Sequence, residues 1–446
     1  MNPTNPPATP IQWEPYFNAV AQGPLVRLQG RIVKVIGLIA EAEGVGASIG
    51  SRCKIESEHG PGIMAEVVGF KDERVLLMPY GDTRGIRPGS RVTLMDETPH
   101  ADVGDDFLGR VINGMGEPLD GKGPIQASTQ YPLYGNHINP LDRRTIKKQM
   151  DVGVTAVNVM IPLGQGQRVA IMAGSGVGKS VLMGMMTRHT AADVTVIGLI
   201  GERGREVKDF VEENLGVEGM KKAVVVAATS DSPALVRMRG AYLATTLAEY
   251  FRNQGKNVLL IIDSITRFAM SSRDVGLAAG EPPTSRGYTP SFFAQIPVLL
   301  ERAGSIQGKG SITGIYTVLV EGDDMNDPVG DTVRSIVDGH IVLSRKLANR
   351  GHYPAIDVLQ SVSRVMRDVS SPEHMALREK AIDIMAVYGD VEDMIAIGAY
   401  VDGSDPRIDE AKRVMPLINS FLRQPVREKS PHQLGLNRLM AIFAKK

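Results

Sequence analysis

The hydrophobic rhythm of the chain changes as it is read from one end to the other. From Val26 to about Leu94, apolar and polar residues alternate in short runs, as in Arg31-Ile32-Val33-Lys34-Val35, Ala65-Glu66-Val67-Val68 and Arg91-Val92-Thr93-Leu94. A period of two gives a strand one face to bury and one to wet. Turn signals such as Gly81-Asp82 and Pro88-Gly89 separate the runs. The pattern predicts a small antiparallel β-barrel or sandwich over residues 26–97.

The middle of the chain loses the alternation. Near-continuous apolar runs recur at Val169–Met172, Val194–Ile200, Ala223–Ala228, Val258–Ile262 and Ile315–Val320, with helical stretches such as Pro233–Asn253 between them. Strands buried on both faces read this way, so residues 98–367 are predicted to form an α/β domain, a parallel sheet with helices on both sides. Beyond about Arg367 the strand pattern stops. Pro372 opens a helical series through Met375, Leu377, Ile382, Met385 and Tyr388, and a second series runs from Ile408 to Phe421. Residues 368–446 are predicted to be a helical domain. At the other end, residues 1–25 are Pro-rich and expected to be flexible. Trp13, Tyr16, Phe17 and Val20 fall there at helical spacing, a candidate docking helix for a partner or a staple onto the next domain.

Composition narrows the class. Of 446 residues, 43% are hydrophobic and 22% charged, a globular balance. Lys plus Arg and Asp plus Glu both number 50, so the basic excess of a dedicated nucleic-acid binder is missing in bulk. Cys53 is the only cysteine, which excludes an intrachain disulfide and suits a reducing compartment. No window approaches the roughly 18 apolar residues of a membrane helix, and Met1–Pro10 does not read as a secretory signal. The expectation is a soluble cytoplasmic protein that reaches a membrane only through others.

The candidate chemistry lies in the middle segment. Ala173-Gly174-Ser175-Gly176-Val177-Gly178-Lys179-Ser180 follows a buried strand and precedes an apolar helix beginning near Val181. Glycines at this spacing let backbone N–H groups turn inward around phosphates, and the helix N-terminus adds positive dipole. Lys179 would neutralise the β- and γ-phosphates of ATP, and Ser180 would hold Mg2+. The run Val258–Ile262 ends in Asp263, a carboxylate at the strand edge where ligands bind in open parallel sheets, placed to hold the metal through water. A third strand, Val194–Ile200, runs into Gly201-Glu202-Arg203-Gly204-Arg205-Glu206. Glu202 would sit at that same edge and orient the attacking water; a solvated charged turn fits the pattern equally well.

At this point the strings AGSGVGKS (173–180), GERGREV (201–207), LLIIDSITR (259–267), VEGDDMNDP (320–328) and DGHIVLSR (338–345) resemble the flagellar protein-export ATPases, relatives of the F-type ATP synthase α and β subunits. The similarity extends to Phe107–Val111 with Gly114 and Pro118–Gly121, and to Gly280–Pro283 with Arg286–Tyr288. The resemblance implies a RecA/F1-like P-loop core behind a β-barrel. It implies that Glu202 is the catalytic carboxylate, that Arg203 and Glu206 support it and the metal's water shell, and that Tyr353 packs on adenine. It also makes Gly174–Val181 the nucleotide loop and Arg364, in Ser361-Val362-Ser363-Arg364, an arginine finger reaching a neighbour's γ-phosphate.

Because one chain carries both Glu202 and Arg364, identical copies meeting head to tail would complete each other's sites, and the resemblance implies a homohexamer. Its implied partners are an export regulator, a stalk protein, a membrane export gate and chaperone–substrate complexes. Alternatives are the ATPase of a virulence-type secretion apparatus, a rotary synthase subunit, a nucleotide-binding assembly subunit without catalysis and, more remotely, a ring-shaped RNA translocase. The last needs aromatic platforms in the first domain, where Phe70 and Tyr80 are the only aromatics between Val26 and Leu94. No nucleic acid is expected.

Overall fold

A computed structural model describes Trp13, Glu14, Phe17 and residues 29–58, 60–320, 322, 324 and 327–444. The chain divides into two compact units, one up to Pro99 and one from His100. Tyr16 and Val20 of the candidate docking helix lie outside the described residues, as does part of the 320–328 string.

In the first unit, strands Gln29–Ile36, Ile39–Glu43, Arg52–Ile55, Ile63–Lys71, Arg74–Pro79 and Arg91–Asp96 close into an antiparallel barrel. Closure comes from strand Arg91–Asp96, which pairs with both Gln29–Ile36 and Arg52–Ile55. The alternation in the sequence becomes alternation in burial. Ile32, Cys53, Ile55, Ala65, Val67, Leu77 and Val92 fill the interior, and the alternation is clearest in Arg52–Ile55, whereas Glu66, Leu76 and Met78 between interior positions are buried as well.

The second unit is built on a nine-stranded sheet. From one edge its main strands are Ile356–Ser363, Gly339–Leu343, Arg168–Ala173, Ser311–Leu319, Asn257–Asp263, Val194–Ile200, Ala223–Ala228 and Val111–Asn113. All of these are parallel except Ile356–Ser363, which runs antiparallel on the outer edge. Successive residues of one strand enter different cores. Ala170, Met172, Leu260 and Ile262 face one cluster with helix Ala234–Asn253. Val169, Ile171, Leu259 and Ile261 face another, with Leu182, Met183 and Met186 of helix Lys179–His189. That two-sided burial is the reason the runs are continuous, each such side chain contributing roughly 1.5–3 kcal/mol. The Phe107–Val111 and Pro118–Gly121 motifs turn out to be architectural. Asp120 accepts two bonds from Arg110, at 2.8 and 2.9 Å, and one from the Val111 N–H at 3.1 Å, pinning the short edge strand.

Helices Pro372–Ala396, Pro406–Leu422 and His432–Ala444 follow the sheet. They pack within the second unit through a buried π-helical turn, Ala156–Met160. His374 Nε2 donates to the Val159 carbonyl at 2.7 Å and Arg378 Nε to that of Met160 at 2.7 Å. Gln424 accepts from the Thr155 N–H at 2.7 Å and donates to the Gly153 carbonyl at 2.8 Å. Among the described residues no helix is long and apolar enough to cross a membrane.

Candidate nucleotide site

Three strands of the sheet deliver the site, with Ser311–Leu319 lying between Arg168–Ala173 and the adjacent pair Asn257–Asp263 and Val194–Ile200. Strand Arg168–Ala173 runs into the Gly174–Gly178 loop, and Gly178, at φ 93°, caps the helix that begins at Lys179. Only glycine adopts that left-handed conformation cheaply. Strand Asn257–Asp263 ends in Asp263, 2% exposed. Strand Val194–Ile200 stops at Gly201 (φ 73°), where a Cβ would press within 2.8 Å of the Arg267 side chain. The tight turn there swings Glu202 toward the same edge. A cavity of about 790 Å³ opens between these ends.

The charges in the cavity hold one another. Lys179 Nζ donates to Asp263 Oδ1 at 2.5 Å and reaches Glu202 Oε1 at 3.4 Å. Thr317 Oγ1 donates to the same Asp263 oxygen at 2.6 Å. Burial pulls the Lys179 ammonium down, but the Asp263 and Glu202 charges outweigh it and hold it above its ordinary value. Glu202 is pushed up to about 7, first by burial and then by the Asp263 carboxylate, against the pull of Lys179. Glu206, exposed on the helix Gly204–Asp209 that follows, adds to the rise. Two carboxylates and one largely covered lysine in a cleft are the arrangement in which a proton acceptor near neutrality arises.

The loop residues divide by role. Gly174, Ser175, Gly176, Gly178 and Ser180 border the cavity, as does the exposed Val181. Val177 departs from the expectation in one respect: its side chain is 2% exposed and packs in the core, leaving only its backbone for a ligand. Arg203 lines the cavity, is exposed, and makes no ion pair among the described residues. The Tyr353 ring is 47% exposed and stands 3.6 Å from where a Cβ on Gly178 would lie.

Arg364 is in a different place. Its strand partner Ser363 pairs with Gly339, whereas the phosphate-loop strand reaches its end at Ala173, level with Leu343. Four strand residues, roughly 13 Å, separate those levels before the loop begins. The Arg364 guanidinium is exposed and makes no hydrogen bond or ion pair among the described residues. Its backbone N–H alone is held, by the Asp338 carbonyl at 2.9 Å.

Some site residues were not singled out from the sequence. Thr317, which anchors Asp263, is a polar residue inside a fully buried apolar run, and that was its signal. Arg345, at the end of the 338–345 string, donates to the Ser175 carbonyl at 3.2 Å. Arg267 and Ser230 border the cavity from loops and helices whose composition says nothing of it.

The residues fit a hydrated magnesium ion carried by phosphates. Asp263 Oδ1 accepts from both Lys179 and Thr317, while Oδ2 accepts no bond among the described residues. Among the described residues no three acidic, His or Cys side chains gather into a metal cage. Magnesium commonly keeps its waters and its substrate oxygens in place of such a cage.

Comparison with known proteins agrees along the whole length. Residues 32–95 match the β-barrel domain of the ATP synthase alpha/beta family, residues 153–363 its nucleotide-binding domain, and residues 370–441 the T3SS EscN ATPase C-terminal domain. The chain is 48% identical over 435 residues to the flagellum-specific ATP synthase of Pseudomonas aeruginosa, covering 97% of this chain and 96% of that one. It is 50% identical to its counterpart in Bacillus subtilis, covering 89% and 90%. The type 3 secretion system ATPase of Xanthomonas euvesicatoria is 45% identical, covering 93% and 91%. Among solved structures, the assembled ATPase EscN of enteropathogenic E. coli superposes with a TM-score of 0.88 at 44% identity, over 93% of this chain and 99% of that one. With this identity spread over barrel, core and helices alike, the chain belongs to the ATP synthase alpha/beta family, in its branch of flagellum-specific ATP synthases and type 3 secretion ATPases, and is an ATP-hydrolysing enzyme.

Proposed function

We propose that the chain hydrolyses Mg-ATP as one of six identical subunits in a ring and energises protein export through a flagellar, type III apparatus. The observation that carries this reading is the separation of Arg364 from the pocket of its own chain. An arginine at the end of the sheet away from its own phosphate loop, with no hydrogen bond or ion pair among the described residues, suits the site of the next copy in a closed head-to-tail ring.

Within one site, Lys179 leaves Asp263 and Glu202 for the β- and γ-phosphates, and Gly174–Gly178 cradles them with backbone N–H groups. Ser180 and, through water, Asp263 and Glu206 would hold Mg2+, which supplies charge neutralisation on the phosphate oxygens. Glu202 orients the water for in-line attack and takes its proton, a role its position near 7 allows. Arg203 steadies the Glu202 turn. Arg364 of the adjacent copy stabilises the charge that develops on the transferring phosphoryl group. Tyr353 packs on the adenine.

The solved relative EscN is known assembled and in complex with its central stalk EscO. By the same logic the partners of this chain are a stalk protein, an export regulator, chaperone–substrate complexes and the membrane export gate. The protein works in the cytoplasm and is drawn to the inner face of the membrane by those partners. The reading is tested by Mg-ATP hydrolysis per subunit against protein concentration, with Glu202→Gln as control. A specific rate that climbs with concentration and vanishes in the variant supports the ring. A flat rate that persists in the variant overturns it.

A further inference from the structure

Strand Gly339–Leu343 lies directly beside strand Arg168–Ala173, with Leu343 level with Ala173. Both leave the sheet at one edge, so Ser344-Arg345 and Gly174-Ser175 emerge side by side. Arg345 Nη1 donates to the Ser175 carbonyl at 3.2 Å and borders the nucleotide cavity. In a planar trans peptide the carbonyl and the following N–H point opposite ways. A bond that fixes the Ser175 carbonyl therefore also fixes the direction of the Gly176 N–H in the phosphate loop.

Arg345 also opens the short helix Arg345–Asn349. The next residue on that helix, Lys346, bonds Glu392 Oε2 at 2.8 Å, and Arg350, just past its end, bonds the other oxygen of the same carboxylate. Glu392 sits on the long helix Pro372–Ala396. A third tie closes the segment, because the Gln424 N–H donates to the Tyr353 carbonyl at 3.0 Å while the Tyr353 ring stands beside Gly178. Residues 345–353 thus touch the phosphate loop at both ends, and reach the long helix Pro372–Ala396 through Glu392 and the connection after helix Pro406–Leu422 through Gln424.

We propose that Arg345 is a positioning residue for the phosphate loop, and that the clamp of Lys346 and Arg350 on Glu392 couples nucleotide binding to helix Pro372–Ala396. The proposal rests on the phosphate loop being the nucleotide site. Coupling of this kind is reciprocal: whatever moves the helix changes nucleotide affinity, and nucleotide changes the hold on the helix. Partly exposed ion pairs are weak individually, so the effect of losing the clamp is roughly two- to fivefold in affinity.

The experiment measures Mg-ADP binding by calorimetry and steady-state hydrolysis on the full chain at a fixed, assembling concentration. Arg345→Ala is expected to weaken Mg-ADP binding and raise KM about tenfold with a smaller change in kcat, and Arg345→Lys to recover part of the loss. Glu392→Arg is expected to weaken Mg-ADP two- to fivefold, and the charge-reversed Lys346→Glu, Arg350→Glu, Glu392→Arg combination to recover it. Glu392→Gln serves as the milder variant if the reversal impairs folding. The coupling is overturned if both Glu392 variants bind Mg-ADP like the parent, or if the reversed combination binds no better than Glu392→Arg alone. A Tm lowered without a change in affinity would assign the clamp to stability only, which also overturns it. A parent protein that binds no Mg-ADP sinks the reading of the pocket itself, a different failure.

Discussion

The two edges of the central sheet carry opposite kinds of electrostatics. At the carboxyl edge, the buried Asp263 and the largely covered Lys179 and Glu202 satisfy one another, with Thr317 behind them. At the amino edge, Arg364 is exposed and its guanidinium has no partner among the described residues. Nearby basic residues there are tied down, as Arg168 is to Asp338 at 3.1 Å. A self-satisfied cluster and a lone cation at opposite ends of one sheet have different meanings. On the proposed reading, the cluster is a site waiting for phosphates to take the lysine, and the cation is half of a site that a second copy completes.

The harshest way to break that comparison is to remove the lone cation. Arg364→Ala is expected to cut kcat by about 10³–10⁵ with the fold and Tm little changed, because the guanidinium makes no hydrogen bond or ion pair among the described residues. Rings mixed from Lys179→Ala and Arg364→Ala subunits should recover activity, since some interfaces then combine an intact loop with an intact finger. If Arg364→Ala retains parental turnover, or if mixed rings form and stay inactive, the division between the edges is wrong.

Next in size is the loss of the carboxylate inside the cluster. Glu202→Gln keeps shape and hydrogen bonding but cannot take a proton, and is expected to lower kcat by about 10²–10⁴. In the parent protein kcat/KM should rise with pH through about 7 as free Glu202 ionises, and this limb should vanish in the variant. Unchanged pH dependence in the variant would give the titration to another group.

How much of this was legible beforehand depended on whether a residue's role was local. The barrel strands and the central runs were readable because burial on one face or on two leaves a period in the sequence. The placement of the phosphate loop and Asp263 was readable because each lies at a strand's end, which the apolar runs before them mark. Glu202 was ambiguous by composition, since a charged turn looks the same whether it faces water or a buried Asp263 across two neighbouring strands. Arg345 and Thr317 stayed hidden because their partners, Ser175 and Asp263, are 170 and 54 residues away. The outer strand Ile356–Ser363 carries no continuous apolar run because it lies at the sheet edge with Leu359, Gln360 and Val362 exposed.

A smaller change sharpens the account of the cluster. Thr317→Val removes the O–H that Asp263 Oδ1 receives at 2.6 Å and leaves volume and burial nearly the same. A hydrogen bond to a charged group is worth about 1.5–3 kcal/mol, so Mg-ATP affinity should fall roughly tenfold with kcat less affected. An unchanged magnesium titration would mean that Lys179 alone fixes Asp263.

The smallest expected effect concerns stability, and its sign separates the two edges once more. Glu202 is held up to about 7 in the folded chain, whereas an unfolded glutamate titrates near 4.3. The folded state therefore binds the proton more tightly. Stability is full below the unfolded value and is lost as pH rises through the folded one. At pH 8 the parent folds with an ionised carboxylate beside Asp263, and Glu202→Gln is relieved of that charge. The variant should melt on the order of 2–4 °C higher than the parent at pH 8, with the difference shrinking toward pH 5. Arg364→Ala, on the solvent-facing edge, should show no such pH-dependent gain. A Glu202→Gln protein that melts lower than the parent at pH 8 would mean that the pull of Lys179 on Glu202 outweighs burial and the Asp263 charge. The cluster would then be a stabilising ion network in the free chain, with no strain for the nucleotide to release.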